Sequence, residues 1–229
     1  LQLKSLKLGN LEDFPLLDRP KPTALNDGIR TLRELNAIDD KQVLTTLGVE
    51  ISRLPVDPRV ARILIEAEDN QCLAEILPIA AALEVQDPRE RPIEHQKSAD
   101  ECHLQFKDPS SDFLSLLRLW KYYNEIRKTK SRNQADKTLR RQFLSPTRMR
   151  EWSDVYRQLK DLMSERQQKP KRQRSRKQIG SIRYESDSDL IVSESLYEKI
   201  HLSLLTGLLS AIGMRGDKHE YTGSGGIQL

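Results

Sequence analysis

The chain has 229 residues, a formal net charge of +4 and a hydrophobic fraction of 37%. This length allows either one large domain or two to three small ones. No apolar run approaches the roughly 20 residues of a membrane span, so we expect no membrane partner. The two cysteines, Cys72 and Cys102, form no Cys-x-x-Cys pair, which argues against a disulfide scaffold or a zinc site. A cytoplasmic setting is expected, and without an initial Met or signal-peptide flanks the chain is expected to be an excised piece.

The sequence of the first 56 residues predicts two short helices and one strand. Prolines in the segment Phe14–Pro22 favour an extended crossing between domains over a helix. A helix is predicted to start at Pro22, because apolar residues recur at helical spacing after it. A second helix is predicted from Thr45 or Thr46, after a candidate wing strand at Gln42–Leu44. This arrangement predicts a small winged helix over residues 21–56.

Residues 57–165 carry a succession of helical patterns and predict one all-helical domain. Pro58 suits the first turn of a helix, and Cys72–Val85 is apolar nearly all round, which places that segment in the middle of a bundle. Further helices are predicted at Ile93–Phe106, from Asp112 to about Arg127, and at Pro146–Met163. Asp108, Ser110 or Ser111 is the expected cap of the helix that begins at Asp112.

The last part of the chain changes in character. Residues 166–195 contain a basic block and an acidic block with almost no apolar residue between them. Such a segment cannot bury enough surface to offset the entropy lost on ordering, so it is predicted to be a charged linker. A final amphipathic helix is predicted at Tyr197–Ile212, followed by a short Gly-rich end.

Positive charge is concentrated between Arg127 and Arg150, where nine basic residues accompany one acidic residue, Asp136. A one-sided distribution of this kind is typical of proteins that bind a phosphate backbone. Nearby aromatic rings could add stacking on bases. They are Tyr122, Tyr123 and Phe143. The alternative, a solvated loop between two helices, remains open at this point.

Five short segments occur in order along the chain: Leu54–Ala67, Asp87–Pro92, Ser111–Leu114, Arg148–Trp152 and Leu204–Leu209. Together they resemble the region that follows the motor domains of bacterial DEAH-box RNA helicases of the HrpA type. Each segment is a weak signal alone, and their common order makes the resemblance specific.

The resemblance implies a mainly α fold. It predicts a small winged helix followed by an all-helical, ratchet-like bundle, then a linker and the start of a truncated OB-fold. The implied domains are an exit segment from a motor domain at 1–20, the winged helix at 21–56, the ratchet-like helicase-associated domain at 57–165, the linker at 166–195 and the start of the OB-fold at 196–229.

The resemblance also implies a function. It predicts the accessory region of an ATP-dependent, 3′-to-5′ RNA helicase, which grips single-stranded RNA while the helicase's own RecA-like motor domains hydrolyse ATP. Carried over to this sequence, the RNA-binding candidates are Arg89, Arg91, Arg148 and Arg150. A guanidinium group can hold backbone oxygens in a bidentate fashion, although each arginine could instead tie a loop to a helix. ATP and Mg²⁺ belong to the parent enzyme, and no catalytic, cofactor-binding or metal-binding residue is predicted in this piece.

The tetrapeptide Asp100–His103 has the Asp-Glu-x-His form of a magnesium-binding motif in helicase motors. In a motor this motif ends a buried strand and faces a phosphate-binding loop. Here the preceding residues predict no strand, and the sequence contains no Gly-x-x-x-x-Gly-Lys-Ser/Thr. We therefore interpret the tetrapeptide as part of a half-exposed helix, and we expect the isolated chain to lack ATPase activity.

An alternative function is a free-standing winged-helix DNA-binding regulator, with the helical region serving for dimerisation or sensing. Such a protein reads base edges with side chains of a recognition helix. The segment Thr45–Leu54 offers Arg53 and few other basic or amide groups, which argues against this alternative.

Overall fold

The computed structural model describes residues 1–9, 14, 18, 20–168, 192–216 and 221–223. Within these residues the regular structure consists of ten α-helices, two short 3-10 helices and one antiparallel pair of strands, so the predicted mainly helical fold is confirmed. The chain divides into two compact units, Leu1–Gln71 with Tyr197–Leu229, and Cys72–Leu196. Most of the predicted proline-rich crossing and most of the predicted linker lie outside the described residues.

Helix starts in the first unit follow the sequence signals. The helices are α1 (Gln2–Ser5), α2 (Pro22–Glu34), α3 (Thr46–Ser52) and α4 (Pro58–Asp69), and most of α10 (Glu194–Leu205) also belongs here. Pro22 and Pro58 occupy the first turns of their helices, where a missing N–H leaves no hydrogen bond unmade. Thr45 caps α3, because its Oγ1 accepts a hydrogen bond from the Gly48 amide at 2.9 Å. These predicted starts are confirmed.

The backbone of α3 closely approaches the turn that follows α2. A Cβ atom at Gly48 would lie 1.9 Å from the carbonyl oxygen of Ala37, so only glycine fits at this position. The candidate wing strand Gln42–Leu44 is wrong, since Leu44 makes only an isolated bridge with Ile38. The reason is the backbone of Gln42, whose φ of +58° turns the chain out of an extended conformation.

The end of the described chain differs in part from the prediction. Instead of one helix over Tyr197–Ile212, α10 ends at Leu205 and a separate 3-10 helix covers Leu209–Ala211. Two short antiparallel strands follow, β1 (Gly213–Arg215) and β2 (Tyr221–Gly223).

The second unit is a helical bundle built around one apolar helix. Its helices are α5 (Leu73–Leu83), α6 (Gln96–Leu104, after a 3-10 turn at Ile93–His95), α7 (Asp112–Thr129), α8 (Arg132–Arg141) and α9 (Pro146–Gln168). Helix α5 packs against both α7 and α9 and buries residues on every side, as its sequence predicts. Ser111 caps α7, because its Oγ accepts from the Leu114 amide at 3.4 Å.

Aromatic side chains from α7 and α9 fill the centre of this bundle. The Trp152 ring is fully buried, and its Nε1 donates a hydrogen bond to the carbonyl oxygen of Pro78 at 2.8 Å. The Trp120 ring lies 5.1 Å from that of Trp152 and 4.7 Å from that of Tyr156, measured between centroids. Clusters of this kind add stabilisation beyond the area that each ring buries.

Of the alternatives left open for the residues between Arg127 and Arg150, a solvated loop between two helices is wrong, because helix α8 lies there. Ala135 and Leu139, four residues apart, are each 1% exposed, so one face of α8 packs into the bundle. The Gln134 side chain accepts a hydrogen bond from the Ser131 amide, as in a capping box, and so helps to define the start of the helix. The sequence did not predict this helix, because its apolar face consists of only Ala135 and Leu139.

Candidate nucleic-acid interface

The loop Asp87–Pro92, which we call the arginine loop, is fastened to the connection between α8 and α9. The Glu90 amide donates to the Phe143 carbonyl and the Ser145 amide donates to the Pro88 carbonyl, both at 2.8 Å. These bonds flank an isolated antiparallel bridge between Arg89 and Leu144. The arginine loop and the start of α9, which are far apart in the sequence, are therefore brought together.

The connection itself has an unusual backbone. Phe143 has a φ of +53°, a left-handed conformation that most residues avoid. It closes α8 as a Schellman motif, with the Leu144 amide donating to the Leu139 carbonyl at 3.0 Å and the Phe143 amide donating to Arg140 at 3.1 Å. The buried pair Leu139 and Leu144 supplies the apolar contact that accompanies this motif.

Arg89 and Arg148 converge on one residue of the arginine loop, Asp87. Arg89 binds the Asp87 carboxylate in a bidentate way, with Nε at 3.0 Å from Oδ1 and Nη2 at 2.6 Å from Oδ2. Arg148, on the first turn of α9, donates from Nη1 to the Asp87 backbone carbonyl at 3.0 Å. Partial burial acts to raise the pKa of Asp87, but hydrogen bonds from Arg89 outweigh it and the pKa is lowered.

Arg91 points to a different partner. Its Nε and Nη2 lie 2.8 and 2.7 Å from the two carboxylate oxygens of Asp100 on α6. The hydrogen bond from Arg91 lowers the pKa of Asp100. Both side chains remain more than half exposed to solvent. One edge of a well-oriented guanidinium group therefore stays accessible.

The tetrapeptide Asp100–His103 lies within α6, in agreement with the helix predicted there. The Asp100 carboxylate accepts a hydrogen bond from Arg91, and the Nε2 atom of His103 lies 3.1 Å from the Phe143 carbonyl oxygen. These contacts give the tetrapeptide a role in fastening α6 to its surroundings.

Arg150 faces α8 instead of the arginine loop. Its Nη1 lies 3.2 and 3.1 Å from the two oxygens of Asp136, and its Nη2 lies 3.3 Å from Thr147 Oγ1. The four predicted arginines thus fall into separate settings. Arg89 and Arg148 surround Asp87, Arg91 pairs with Asp100, and Arg150 pairs with Asp136.

The structure does not support base stacking by Tyr123. Its side chain is only 2% exposed and belongs to the core of the bundle. Tyr122 is half-buried, with its ring centroid 4.9 Å from that of Phe106. Phe143 is also half-buried, and its ring lies 6.1 Å from that of His95. The aromatic rings near the basic segment therefore serve mainly to pack the unit.

Four exposed basic side chains of α8 were not among the site candidates. Arg132 lies in the first turn, and the other three lie nearer the end of the helix and form what we call the α8 basic face: Lys137, Arg140 and Arg141. None of the ion pairs found in the described part of the chain involves them. The sequence shows the concentration of positive charge after Arg127. Because helix α8 was not predicted, the sequence could not show that three of these residues share one face of a helix.

The described residues show neither a metal cluster nor a membrane span. No group of three or more His, Cys, Asp or Glu side chains there could hold a metal ion. No helix in the described part of the chain is long and apolar enough to cross a membrane.

Comparison with known proteins now gives the family. The family model described as "Helicase associated domain (HA2), ratchet-like" matches residues 57–193, which is more than half of the chain. The chain belongs to this ratchet-like helicase-associated family. The match includes all of the helices α5 to α9, which make up most of the second unit.

Similar proteins are known across a wide range of organisms. The chain is 41% identical to the ATP-dependent RNA helicase HrpA of Escherichia coli and 37% identical to the HrpA homolog of Haemophilus influenzae, over 98% of its own length in each case. A DExH-box ATP-dependent RNA helicase of Arabidopsis thaliana is 33% identical over 72% of the chain. The chain spans 16 to 17% of the length of these relatives.

The comparisons confirm the resemblance to HrpA-type helicases and do not favour the alternative of a DNA-binding regulator. They support a helicase-associated, mainly helical assignment. The winged helix, the OB-fold, the domain boundaries and the four RNA-binding arginines stay predictions.

Proposed function

We propose that this chain is an accessory region of an ATP-dependent, 3′-to-5′ DEAH-box RNA helicase, and that it grips single-stranded RNA while motor domains of the same enzyme hydrolyse ATP. The observation that carries the proposal is the ratchet-like family match over residues 57–193, in a chain whose similar proteins are named ATP-dependent RNA helicases. RNA binding fits the charge of this region, since the segment from Arg127 to Arg150 contains nine basic residues and one acidic residue.

The finer assignments form part of the same proposal. Residues 21–56 form the winged helix, residues 196–229 begin the OB-fold, and residues 1–20 lead from a motor domain. The parent enzyme is bacterial and cytoplasmic, and its motor domains bind ATP and Mg²⁺. This chain then contributes the surface along which the RNA strand is held.

Arg91 and Arg148 are the arginines best placed to contact RNA directly. Arg91 uses Nε and Nη2 for Asp100 and keeps Nη1 for another acceptor, and Arg148 donates one hydrogen bond among the residues that the structure describes. Arg89 and Arg150 each bind a carboxylate, with side chains about one third exposed against 59% for Arg91, and they serve to orient the surface. An arginine already oriented by a carboxylate loses less side-chain entropy when it binds a phosphate.

The proposal can be tested by binding labelled single-stranded RNA to the whole chain, using fluorescence anisotropy over a series of salt concentrations. Arg91→Ala and Arg148→Ala should each weaken binding about two- to fivefold, the range expected for exposed ion pairs. Arg30→Ala is a matched control, because Arg30 on α2 is also exposed and paired with an aspartate, Asp27 at 3.2 Å. That control should bind as tightly as the unchanged chain.

Three outcomes would contradict the proposal. The first is no binding of single-stranded RNA even at low salt. The second is ATP hydrolysis by the purified chain, because the sequence contains no phosphate-binding loop. The third is a marked preference for a particular DNA duplex, which the regulator hypothesis predicts.

A further inference from the structure

We infer that the α8 basic face, formed by Lys137, Arg140 and Arg141, is a second phosphate-binding surface that holds single-stranded RNA by its backbone without reading the bases. The inference rests on the proposed function for the identity of the polyanion. It adds a site formed by side chains that are not among the four predicted arginines.

Helix geometry places the three side chains on the solvent side of α8. Ala135 and Leu139 are buried against the bundle and define its inner face. Lys137 lies two residues from each of them, which is the opposite side of a helix with 3.6 residues per turn. Arg140 and Arg141 are exposed beside it. Residues 137 and 141 are four apart, so their side chains emerge one turn above the other.

The charge of this face is not neutralised within α8. The helix contains one acidic residue, Asp136, and Arg150 of α9 already binds its carboxylate. By contrast, Arg89 and Arg91 each have a carboxylate of their own. A surface that concentrates uncompensated positive charge attracts a polyanion, because binding releases the counterions condensed on that polymer.

Stability of the helix explains only part of the arrangement. Like charges three and four residues apart destabilise a helix, and Lys137 has such a relation to both Arg140 and Arg141. Basic residues in the last turn interact favourably with the helix dipole, which accounts for Arg140 and Arg141. Lys137 lies ahead of that turn, so its charge adds repulsion that a bound phosphate backbone would relieve.

The composition of the face favours RNA over a lipid surface. A helix that lies in a membrane interface inserts apolar side chains beside its basic ones. The apolar residues of α8 are Ala135 and Leu139, and both are buried in the bundle. Tyr123, whose ring could otherwise stack on a base, is buried as well. The face therefore offers phosphate contacts alone, which predicts binding that is insensitive to base sequence.

The test uses the whole chain and the variant K137Q/R140Q/R141Q, with labelled oligouridine as the probe across a series of KCl concentrations. The log-log salt slope of binding should become shallower by about 0.7 for each phosphate group that the variant no longer binds, and so by about 2 when all three basic side chains are replaced. The variant K137R/R140K/R141K keeps the charge and should keep the slope. Far-ultraviolet circular dichroism checks that α8 remains folded.

A matched control removes the same charge from other surfaces of the same unit. K97Q/K107Q/K160Q changes exposed lysines on α6, on the loop after it and on α9. It should leave the salt slope within the error of the unchanged chain. An equal reduction of the slope in both triple variants would overturn the inference, because binding would then depend on net charge and not on the α8 basic face.

The remaining outcomes separate this inference from the proposed function. If the unchanged chain binds oligouridine and K137Q/R140Q/R141Q binds it with the same slope, the inference fails and the proposed function stands. If the unchanged chain binds no RNA, both fail. Strong discrimination between oligouridine and oligoadenosine would overturn backbone-only binding. Binding to anionic vesicles in place of RNA, with the same dependence on α8, would overturn the inference by assigning the face to a membrane.

Discussion

The arginine loop and the α8 basic face are both rich in positive charge, but only the loop pairs its charges with carboxylates. In the loop each arginine has an aspartate at hydrogen-bonding distance, Asp87 for Arg89 and Asp100 for Arg91. On α8 the exposed basic side chains have no ion pair within the described residues. Basic side chains therefore form ion pairs within the structure in one region and have no ion-pair partner among the described residues in the other.

The difference follows from the backbone. Irregular loops leave amides and carbonyls without regular partners, so side chains and neighbouring segments must satisfy them. Asp87 does this by accepting from the Arg89 amide at 2.9 Å, and Arg148 satisfies the Asp87 carbonyl. Helix α8 satisfies its own backbone, and its outward side chains carry no such task. Substitutions that break an ion pair of the loop region should accordingly affect stability, whereas substitutions of the basic side chains on α8 should affect binding and leave stability nearly unchanged.

The largest expected effect on stability comes from Leu144, which joins the two regions. This residue is fully buried, forms the bridge with Arg89 and closes the end of α8 through its amide. Leu144→Ala should lower the free energy of unfolding of the second unit by about 2–5 kcal/mol, because apolar burial decreases and a cavity is left behind. Tryptophan fluorescence during urea denaturation reports this unit, because both tryptophans of the chain, Trp120 and Trp152, are buried in it.

Leu104→Ala is the control for that measurement. Leu104 ends α6 in the same unit, but 61% of the residue is exposed. Its removal should change the free energy of unfolding by less than about 0.5 kcal/mol, as for most surface substitutions. Equal effects of the two substitutions would show that the connection at Leu144 does not anchor the arginine loop.

Asp87 should have a smaller effect, and one that depends on pH. Asp87→Asn removes the charge but keeps an oxygen for the Arg89 amide, and it should cost about 0.2–1 kcal/mol at neutral pH because the pair is partly exposed to solvent. The folded chain lowers the pKa of Asp87, so folding favours the ionised carboxylate. This contribution is fully present above the unfolded pKa of about 3.9 and is lost as the pH falls through the lower folded value.

Urea denaturation at neutral pH and at a pH below the lowered folded pKa of Asp87 distinguishes this charge effect from a packing effect. The difference in unfolding free energy between Asp87→Asn and the unchanged chain should shrink in acid, where both carry a neutral side chain. A difference that is the same at both pH values would contradict an ionic role for Asp87.

Local signals made part of the fold predictable from the sequence. Pro22, Thr45 and Pro58 mark helix starts because proline suits a first turn and threonine caps an amide, and both effects act within a few residues. Helix α5 was predictable because a nearly continuous apolar segment must lie inside a bundle. Helix α8 was missed, since its two buried residues give a stripe too narrow to stand out among charged neighbours. The capping pair Ser131 and Gln134 was the signal that could have revealed it.

The sequence predicts which basic residues belong to the candidate site, but it does not predict which acidic residues they pair with. The sequence shows where positive charge is concentrated, but only the fold shows which charges are neutralised. Asp136 and Arg150 are fourteen positions apart and meet because α8 and α9 pack together. Arg91 and Asp100 likewise meet across a turn and a helix start. Pairings of this kind depend on tertiary structure, so propensity and spacing alone could not separate the paired arginines from the α8 basic face.

The smallest expected effect is the change in stability of K137Q/R140Q/R141Q. This variant tests most directly whether the α8 basic face differs from the arginine loop. Removing the like charges relieves repulsion along α8, while replacing Arg140 and Arg141 weakens the interaction with the helix dipole. Each effect is a few tenths of a kcal/mol and they have opposite signs, so the free energy of unfolding should stay within about 0.5 kcal/mol of the unchanged chain. The same urea denaturation followed by tryptophan fluorescence measures it. A decrease of more than about 1 kcal/mol would mean that these side chains stabilise the bundle, and the distinction between the ion-paired arginines of the loop and the unpaired charges of α8 would then fail.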